Sequence, residues 1–251
     1  MKVLITGASS GIGRECALRM ADRGYDLVLV ARSEDKLKEL KKEIKTDVTI
    51  EVMDLGVLDN VLKLAKKYKG KIDILVNNAG FGNHGYFNET QLNDDVDMIN
   101  LNVTAYHVLT KLFLDDFVKR DSGKILNVAS IAGLMSGGPL MSTYYATKAY
   151  VRSLTLGIYE ELKKRKSNVK ISCLCPGPIK TDFMKRADVN FSIGTSSASF
   201  VVDYTLKKFD KNKLIIIPGF FNRCLAFFSR FVPTKMILNS AYYIQKSKMK
   251  K

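Results

Sequence analysis

Two residues four positions apart, Tyr144 and Lys148, have the types and the spacing to move a proton. They stand in the run MSTYYATKAYV at the start of a helical pattern, so one face of the helix carries both side chains. An ammonium lowers the pKa of a neighbouring phenol because it favours the phenolate. Such a phenol can exchange a proton with a carbonyl or alcohol oxygen near neutral pH. Tyr145 lies three residues before Lys148 and can also approach it, so the spacing alone leaves open which phenol reacts.

A glycine-rich run near the N-terminus has the composition of a phosphate-binding turn. Residues 6–13 read TGASSGIG, and they join the first predicted strand to a predicted helix over Arg14–Arg23. Glycines let the backbone turn tightly and approach a pyrophosphate, which then lies on the helix N-terminus. The alternative is a tight turn without a ligand. The position between the first strand and the first helix favours nucleotide binding, although the G-x-x-x-G-x-G spacing differs from the commoner G-x-G-x-x-G pattern.

The end of the second predicted strand indicates which nucleotide this would be. An acidic residue there binds the 2′-hydroxyl of NAD and repels a 2′-phosphate, but this chain has Arg32 followed by Ser33. The guanidinium of Arg32 is a planar, permanently charged partner for phosphate, and the Ser33 hydroxyl can add a hydrogen bond. The alternative is that Arg32 only ends the strand in solvent. We predict a preference for NADP(H).

The elements that must position these residues alternate along the chain. Short apolar, β-branched runs such as VLIT and DILVN are typical of strands buried on both faces. Longer amphipathic stretches separate them, so we expect a doubly wound α/β sheet of seven mostly parallel strands with helices on both faces. The predicted strands are Lys2–Thr6, Leu27–Ala31, Val48–Met53, Ile72–Asn77, Lys124–Val128, Lys170–Leu174 and Lys213–Pro218.

Two predicted helices, about Asn93–Lys119 and about Thr143–Lys166, are longer than one sheet layer requires. We expect them to carry an oligomer contact as well, in a homodimer or homotetramer. No linker or repeat interrupts the pattern, so residues 1–251 are interpreted as a single domain. Within it, residues 183–200 are expected to form a substrate loop, and residues 220–251 a basic C-terminal extension.

Together these features resemble the short-chain dehydrogenase/reductase family over about residues 2–181. The resemblance rests on seven motifs in the family's order and spacing. They are TGASSGIG at 6–13, MDL at 53–55, NNAG at 77–80, NLNV at 100–103, NVAS at 127–130, YYATK at 144–148 and PGPIKT at 176–181.

The resemblance implies a Rossmann-type fold and a role for each motif residue. Tyr144 would be the general acid/base, Lys148 would lower its pKa and bind the nicotinamide ribose, and Ser130 would orient the substrate carbonyl. Asn102 would hold a water in the proton relay. By the same resemblance the cofactor would be bound by Gly7, Ser9, Ser10, Gly11, Ile12, Gly13, Arg32, Ser33, Asp54, Leu55, Asn78, Ala79, Gly80, Tyr144, Lys148, Pro176, Gly177, Ile179 and Thr181.

The chain departs from the family pattern at two places beside the implied catalytic residue. The residue after the catalytic tyrosine is usually small, and here it is Tyr145. The interval from Ser130 to Tyr144 is 14 residues, one longer than the commonest arrangement, so we expect the loop 134–142 to bulge. Both departures concern the shape of the substrate pocket.

Composition restricts the other functional classes. Hydrophobic residues make up 46% and charged residues 26%, which excludes a disordered chain. No apolar run is long enough to span a membrane, there is no signal-peptide pattern, and four cysteines form no framework, so we expect a cytoplasmic protein with packed thiols at Cys173 and Cys175. No metal site is predicted. The net charge of +15 suggests nucleic acid, but no recognition motif accompanies it, and we predict no nucleic-acid partner.

The sequence favours an NADPH-dependent reductase of an apolar carbonyl, or the reverse alcohol oxidation, over a non-catalytic NADP(H)-sensing regulator. Phe183, Met184, Phe191 and Ile193 suggest an apolar pocket of the kind that suits 3-oxoacyl, steroid or long-chain carbonyl substrates. The segment 220–238 is predicted to be a basic amphipathic helix. It would either make weak peripheral contact with a membrane, or pack on the core, over the substrate pocket or on another subunit.

Overall fold

The computed structural model describes residues 1–179 and 196–247, and these residues form seven strands in one sheet. All neighbouring strands pair in parallel, in the spatial order β3-β2-β1-β4-β5-β6-β7, which confirms the doubly wound sheet and makes it parallel throughout. Their bounds are β1 Lys2–Thr6, β2 Asp26–Ala31, β3 Val48–Val52, β4 Ile74–Asn77, β5 Lys124–Val128, β6 Lys170–Leu174 and β7 Ile215–Ile216.

Helices cover both faces of this sheet. They are α1 Gly11–Ala21, α2 Glu34–Glu43, α3 Leu58–Tyr68, α4 Leu92–Ile99, α5 Tyr106–Lys119, α6 Ser142–Lys164, α7 Ala198–Phe209, α8 Phe220–Phe228 and α9 Thr234–Lys246. One core layer joins α1, α2 and α7 to the sheet, and the opposite layer joins α3, α5 and α6 to it. The central strands are therefore buried on both sides, as their uninterrupted apolar runs predict.

The order of the strands places the site-forming ends together. The chain adds β2 and β3 on one side of β1 and then crosses to the other side, where β4 pairs with β1. The carboxyl ends of β1 and β4 therefore flank the switch point of the sheet, where ligands of such folds bind. The glycine-rich turn follows β1 and the NNAG motif begins at the last residue of β4.

Several predicted boundaries differ from the structure. The first helix begins at Gly11, three residues earlier than predicted, and β7 has two residues instead of the predicted six. The predicted long helix over 93–119 is continuous, but it contains a π-helical segment at Asn100–Ala105. Such a segment inserts a residue into the helical repeat, which hydrophobic periodicity does not reveal, and it is frequent at functional sites.

The prediction of one C-terminal helix over 220–238 is wrong. The structure forms α8 and α9, separated by residues 229–233, and Pro233 lies immediately before α9. A proline has no N–H to donate and disfavours helical backbone at the residue before it, so it starts a helix and does not continue one. Among the described residues, no helix is long and apolar enough to cross a membrane.

Candidate active site

A cavity of about 420 Å³ lies at the carboxyl ends of the strands and extends from the glycine-rich turn to Tyr144. The structure brings most of the predicted site residues to its wall. These are Gly7, Ser9, Ser10, Gly11, Ile12, Arg32, Asp54, Leu55, Asn78, Ala79, Gly80, Ser130, Tyr144, Lys148, Pro176, Gly177 and Ile179. Among the residues that the structure describes, Gly13, Ser33 and Asn102 do not line the cavity. Thr181, Phe183, Met184, Phe191 and Ile193 lie outside the described residues.

The glycine-rich turn is held against the end of β4 by close backbone approach. Gly7 has φ +66°, a conformation that L side chains rarely adopt, and a Cβ there would lie 2.8 Å from Ala79 Cα. A Cβ on Gly13 would overlap the Gly7 carbonyl oxygen and lie 2.6 Å from Asn78 Nδ2. Gly13 therefore shapes the turn from behind the cavity, which explains why the motif requires glycine at a position that does not line the wall.

Hydrogen bonds fix the two strand ends to each other. Thr6 Oγ1 accepts from the backbone N–H groups of Asn78 at 2.9 Å and of Ala79 at 3.0 Å. In return, Asn78 Nδ2 donates to the backbone oxygen atoms of Thr6 at 3.0 Å and of Gly7 at 3.2 Å. The bottom of the cavity is therefore a rigid joint between β1 and β4, and Asn78 serves this joint as well as lining the cavity.

A cationic edge lies at the ends of β2 and β3. Arg32 Nη1 is 3.7 Å from Asp54 Oδ2, both side chains are about half exposed, and Asp54 Oδ1 accepts from the Gly56 N–H at 2.9 Å. Lys36, in the first turns of α2, also lines the cavity, and sequence reasoning missed it. Ser33 is exposed at the start of α2 beside this edge. Arg32 and Lys36 therefore place two cations at this end of the cavity.

Tyr144, Lys148 and Ser130 meet at the other end of the cavity. Tyr144 and Lys148 lie in the first two turns of α6, and the Lys148 ammonium is 5.9 Å from the centre of the Tyr144 ring. Lys148 is buried, and its Nζ donates to the Val128 carbonyl oxygen at 3.1 Å. Ser130, which follows β5, caps a short 3₁₀ turn by accepting from the Ala132 N–H at 3.1 Å. The end of β5 thus fixes both partners of Tyr144.

The expectation that Lys148 lowers the pKa of Tyr144 stays a prediction, and in the chain without a cofactor burial dominates this pKa. Burial raises the pKa of Tyr144 to about 12, and this outweighs the lowering by a hydrogen bond with Ser130. Burial also lowers the pKa of Lys148 to about 8, because desolvation disfavours the charged ammonium. Tyr144 is consequently protonated at neutral pH, as a proton donor must be.

Asn102 lies behind the cavity wall in the π-helical segment. It is fully buried, and its Nδ2 donates to the Phe81 carbonyl oxygen at 2.8 Å and to Thr147 Oγ1 at 3.2 Å. Its Oδ1 accepts from the Phe81 N–H at 3.1 Å. A Cβ on Gly80 would lie 2.8 Å from Asn102 Oδ1 and 3.3 Å from Lys148 Nζ. Asn102 therefore joins the NNAG loop to α6 immediately beside Lys148.

The bulky Tyr145 occupies space that the neighbouring loop leaves for it. Its ring packs on Gly138, where an added Cβ would overlap the ring, and Leu140 in the same loop has φ +65°. The loop that follows Ser130, one residue longer than is common, thus accommodates the aromatic residue. Tyr145 lines the cavity beside Tyr144, with 6.3 Å between the two ring centres.

The C-terminal helix completes the cavity, which is one of the alternatives that the sequence left open for this segment. Gln245 in α9 is buried, lines the cavity and donates from Nε2 to the Tyr145 hydroxyl at 3.0 Å. A glutamine near the end of a basic extension carries no sequence signal for this placement. Phe81 and Met141, which also line the cavity, were not predicted either.

Comparison with known proteins places the chain in a family. A family model described as short chain dehydrogenase matches residues 1–190. The chain is 36% identical to the very-long-chain 3-oxoacyl-CoA reductase of Rattus norvegicus over 171 residues, 64% of this chain and 54% of that protein. It spans 54% to 61% of the length of the first curated relatives it matches.

Solved structures extend the likeness over the whole chain. A short-chain dehydrogenase from Sphingobium yanoikuyae in complex with NADPH is 30% identical, with TM-score 0.82, covering 100% of this chain and 96% of the other. A short chain dehydrogenase/reductase from Burkholderia phymatum in complex with NAD is 26% identical, with TM-score 0.81, covering 91% of each. This chain belongs to the short-chain dehydrogenase/reductase family, a family of oxidoreductases, and one of these two similar structures holds NADPH and the other NAD.

Proposed function

We propose that the protein is an NADPH-dependent oxidoreductase that interconverts a carbonyl and a secondary alcohol. The observation that carries this proposal is the juxtaposition of Tyr144, Ser130 and Lys148 at one end of a cavity whose other end is the glycine-rich turn. A redox nucleotide and a proton-donating phenol would therefore share one cavity.

The residues present fit a dinucleotide. Gly7 and Gly13 let the turn pack against Asn78 and Ala79, where any added Cβ would overlap protein atoms. Helix α1 begins at Gly11 within this turn, so its first N–H groups are available to a phosphate. Near the other end, Gly177 allows Asn222 of α8 to pack closely, since a Cβ on Gly177 would lie 2.5 Å from Asn222 Nδ2. When bound, NADPH would supply the hydride, and the protein supplies binding, orientation and the proton.

The side chains divide the remaining work among them. Tyr144 donates its hydroxyl proton to the substrate oxygen in the reduction direction. Burial raises the pKa of Tyr144 to about 12, so the phenol holds this proton at neutral pH until the substrate oxygen takes it. Ser130, which shares a hydrogen bond with Tyr144, orients the same oxygen. Lys148 packs against the Tyr144 ring and helps to bind the cofactor ribose, and Asn102 positions the loop before it and belongs to the proposed proton relay.

The cationic edge supports a preference for NADPH over NADH. Arg32 and Lys36 border the cavity where the adenosine ribose would lie, and a 2′-phosphate would gain charge-assisted hydrogen bonds from them. Arg32 also pairs with Asp54, with 3.7 Å between Nη1 and Oδ2. At this distance the guanidinium can still turn towards a phosphate. Ser33, beside Arg32, supplies a hydroxyl at the same edge.

The pocket beside Tyr144 supports an apolar substrate. Phe81, Met141 and Tyr145 line it, and Gln245 is the polar group that α9 adds. The proposed substrates are 3-oxoacyl, steroid or long-chain carbonyl compounds, and the similarity to a very-long-chain 3-oxoacyl-CoA reductase supports the 3-oxoacyl members of this class.

The experiment that tests this function is a screen of NADPH oxidation with ketones of graded chain length and with steroids. We expect turnover that increases with chain length and is lost in Tyr144→Phe. Cofactor binding without turnover of any ketone or alcohol, in either direction, would instead support the non-catalytic NADP(H)-sensing alternative.

We also propose that the protein acts as a homo-oligomer. The long helical run α4–α5 and the outer face of α6 expose apolar side chains that a second copy would bury. They are Leu92, Val96, Ile99, Leu112 and Tyr150. Analytical ultracentrifugation of the wild type and of Leu92→Ser tests this contact.

The proposed compartment is the cytoplasm. Cys16, Cys173 and Cys175 are buried free thiols, as predicted for Cys173 and Cys175, whose sulfur atoms lie 3.7 Å apart. Unpaired thiols so close together suit a reducing environment.

A further inference from the structure

The C-terminal helices α8 and α9 expose an unusual amount of apolar surface. Phe221 is 76% exposed, Phe231 is 72% exposed and Phe228 is 61% exposed. We call this surface the aromatic face. Its members are Phe220, Phe221, Leu225, Phe227, Phe228, Phe231, Val232, Met236, Tyr243 and Ile244. Isolated exposed apolar side chains are ordinary, but a set of ten within 25 residues marks an interaction site.

The aromatic face is contiguous at its centre. The ring of Phe227 lies 5.4 Å from the ring of Phe228 and 5.4 Å from that of Phe231, measured between ring centres. Phe231 follows α8, so the turn between the helices extends the face and does not interrupt it. The three rings form one exposed aromatic cluster.

The opposite side of the same helices is already attached to the protein. Gln245 donates to Tyr145, the hydroxyl of Tyr242 lies 2.9 Å from that of Tyr86, and Asn222 packs on Gly177. Ala226 is buried. The helices therefore do not need the aromatic face to attach to the domain, and this face is directed outward. The sequence offered packing on the protein and contact with a membrane as alternatives for this segment. In the structure one side of the segment packs on the protein and the other side is exposed.

The segment that bears the aromatic face carries four exposed cations and no acidic residue. Arg223, Arg230, Lys235 and Lys246 are all exposed, and residues 220–246 contain no Asp or Glu. The Arg223 guanidinium lies 5.8 Å from the centre of the Phe220 ring, so one cation is placed directly beside the apolar surface. From Tyr204 to the C-terminus, 11 Lys and Arg accompany a single acid, Asp210.

The charge pattern discriminates between two partners that could cover the aromatic face, a second copy of the chain and a membrane. A second copy related by a two-fold axis would bring the same face against itself, with cations opposite cations and no carboxylate to pair them. A membrane surface with anionic lipids offers negative head groups to the cations and an apolar interior to the aromatic rings. We propose that the aromatic face docks on an anionic membrane surface, without crossing it.

The test is co-sedimentation of the full chain with vesicles of phosphatidylcholine, alone or with about 30% phosphatidylserine, at low and high salt. The first variant, Phe227→Ser with Phe231→Ser, removes aromatic area. The second, Arg223→Gln with Arg230→Gln, removes charge. Phe87→Ser is the matched control, because Phe87 is 70% exposed and lies outside the segment. All altered side chains are exposed, and circular dichroism verifies that each variant folds.

We expect the wild type and Phe87→Ser to pellet with anionic vesicles at low salt and to be released at high salt. The aromatic variant should bind at least about tenfold more weakly, and the charge variant about fivefold more weakly per residue removed. Equal binding to neutral vesicles, or no binding, would overturn the proposal.

A second copy as the occupant would give a different result. The aromatic variant would then convert an oligomer to a smaller species in ultracentrifugation without vesicles, and its vesicle binding would match the wild type. Because the measurement needs neither substrate nor cofactor, its failure leaves the proposed reductase activity untouched.

Discussion

The side-chain amide of Gln245 donates a hydrogen bond to the hydroxyl of Tyr145, the residue that follows the proposed catalytic phenol. The two residues are 100 positions apart in the chain, and their contact attaches α9 to the start of α6. The C-terminal helix is therefore part of the cavity wall, and it is attached there through the residue that follows Tyr144.

We predict that this pair governs substrate fit more than the chemical step. Gln245→Leu and Tyr145→Phe should each raise KM for a bulky ketone and change kcat by less than a factor of about five. In a double-mutant cycle on the free energy of unfolding, the pair should show a coupling of about 0.5–1.5 kcal/mol. If the effects of the two substitutions on KM and on the free energy of unfolding simply add in the double variant, the hydrogen bond has no part in shaping the cavity.

The glycine-rich turn gives a prediction with an internal control. Gly13→Ala should weaken NADPH binding by at least about tenfold and destabilise the fold, because the added Cβ would overlap the Gly7 carbonyl oxygen. Gly157→Ala lies in α6 with nothing within 4 Å of the added Cβ, and should stabilise the protein by about 1 kcal/mol. Fluorescence titration with NADPH and urea unfolding measure the two effects. Similar behaviour of both variants would contradict this role of Gly13 in the turn.

The sequence predicted the parts of this site that depend on short-range pattern. The glycine-rich turn, the strand ends and the Tyr144–Lys148 spacing are local, and the structure places them at one cavity. Gln245 could not be found in this way, because its role depends on a contact over 100 positions and on the break between α8 and α9. The burial that dominates the pKa of Tyr144 could not be predicted either, because the spacing of residues shows only the nearby ammonium.

The cationic edge predicts cofactor choice. NADPH should bind at least about tenfold more tightly than NADH, equivalent to about 1.4 kcal/mol, and Arg32→Asp should reverse the order. Ser33→Ala should cost less, because it removes one neutral hydrogen bond and no charge. Fluorescence titration with both cofactors measures the ratio, and equal affinities in the wild type would contradict the assignment of Arg32.

The buried ammonium of Lys148 predicts a pH-dependent stability. Its pKa is lowered to about 8 in the folded chain, against an ordinary value of 10.5, so between these values the unfolded chain binds more protons. The free energy of unfolding should therefore rise with pH across this window. Relative to Lys148→Met, the wild type should gain about 1–2 kcal/mol between about pH 7 and about pH 9.5. Urea unfolding without cofactor measures it; a constant difference would show that burial does not lower this pKa.

The most direct test of Tyr144 as the proton donor compares Tyr144→Phe with Tyr145→Phe. Both changes remove one hydroxyl from adjacent rings that line the same cavity, so they differ only in which phenol is lost. With the best ketone from the screen, kcat/KM of Tyr144→Phe should fall by about 10²–10⁴-fold, because no proton reaches the substrate oxygen. NADPH should still bind to this variant. Tyr145→Phe should retain kcat, and equal losses in the two variants, or a greater loss in Tyr145→Phe, would contradict Tyr144 as the proton donor.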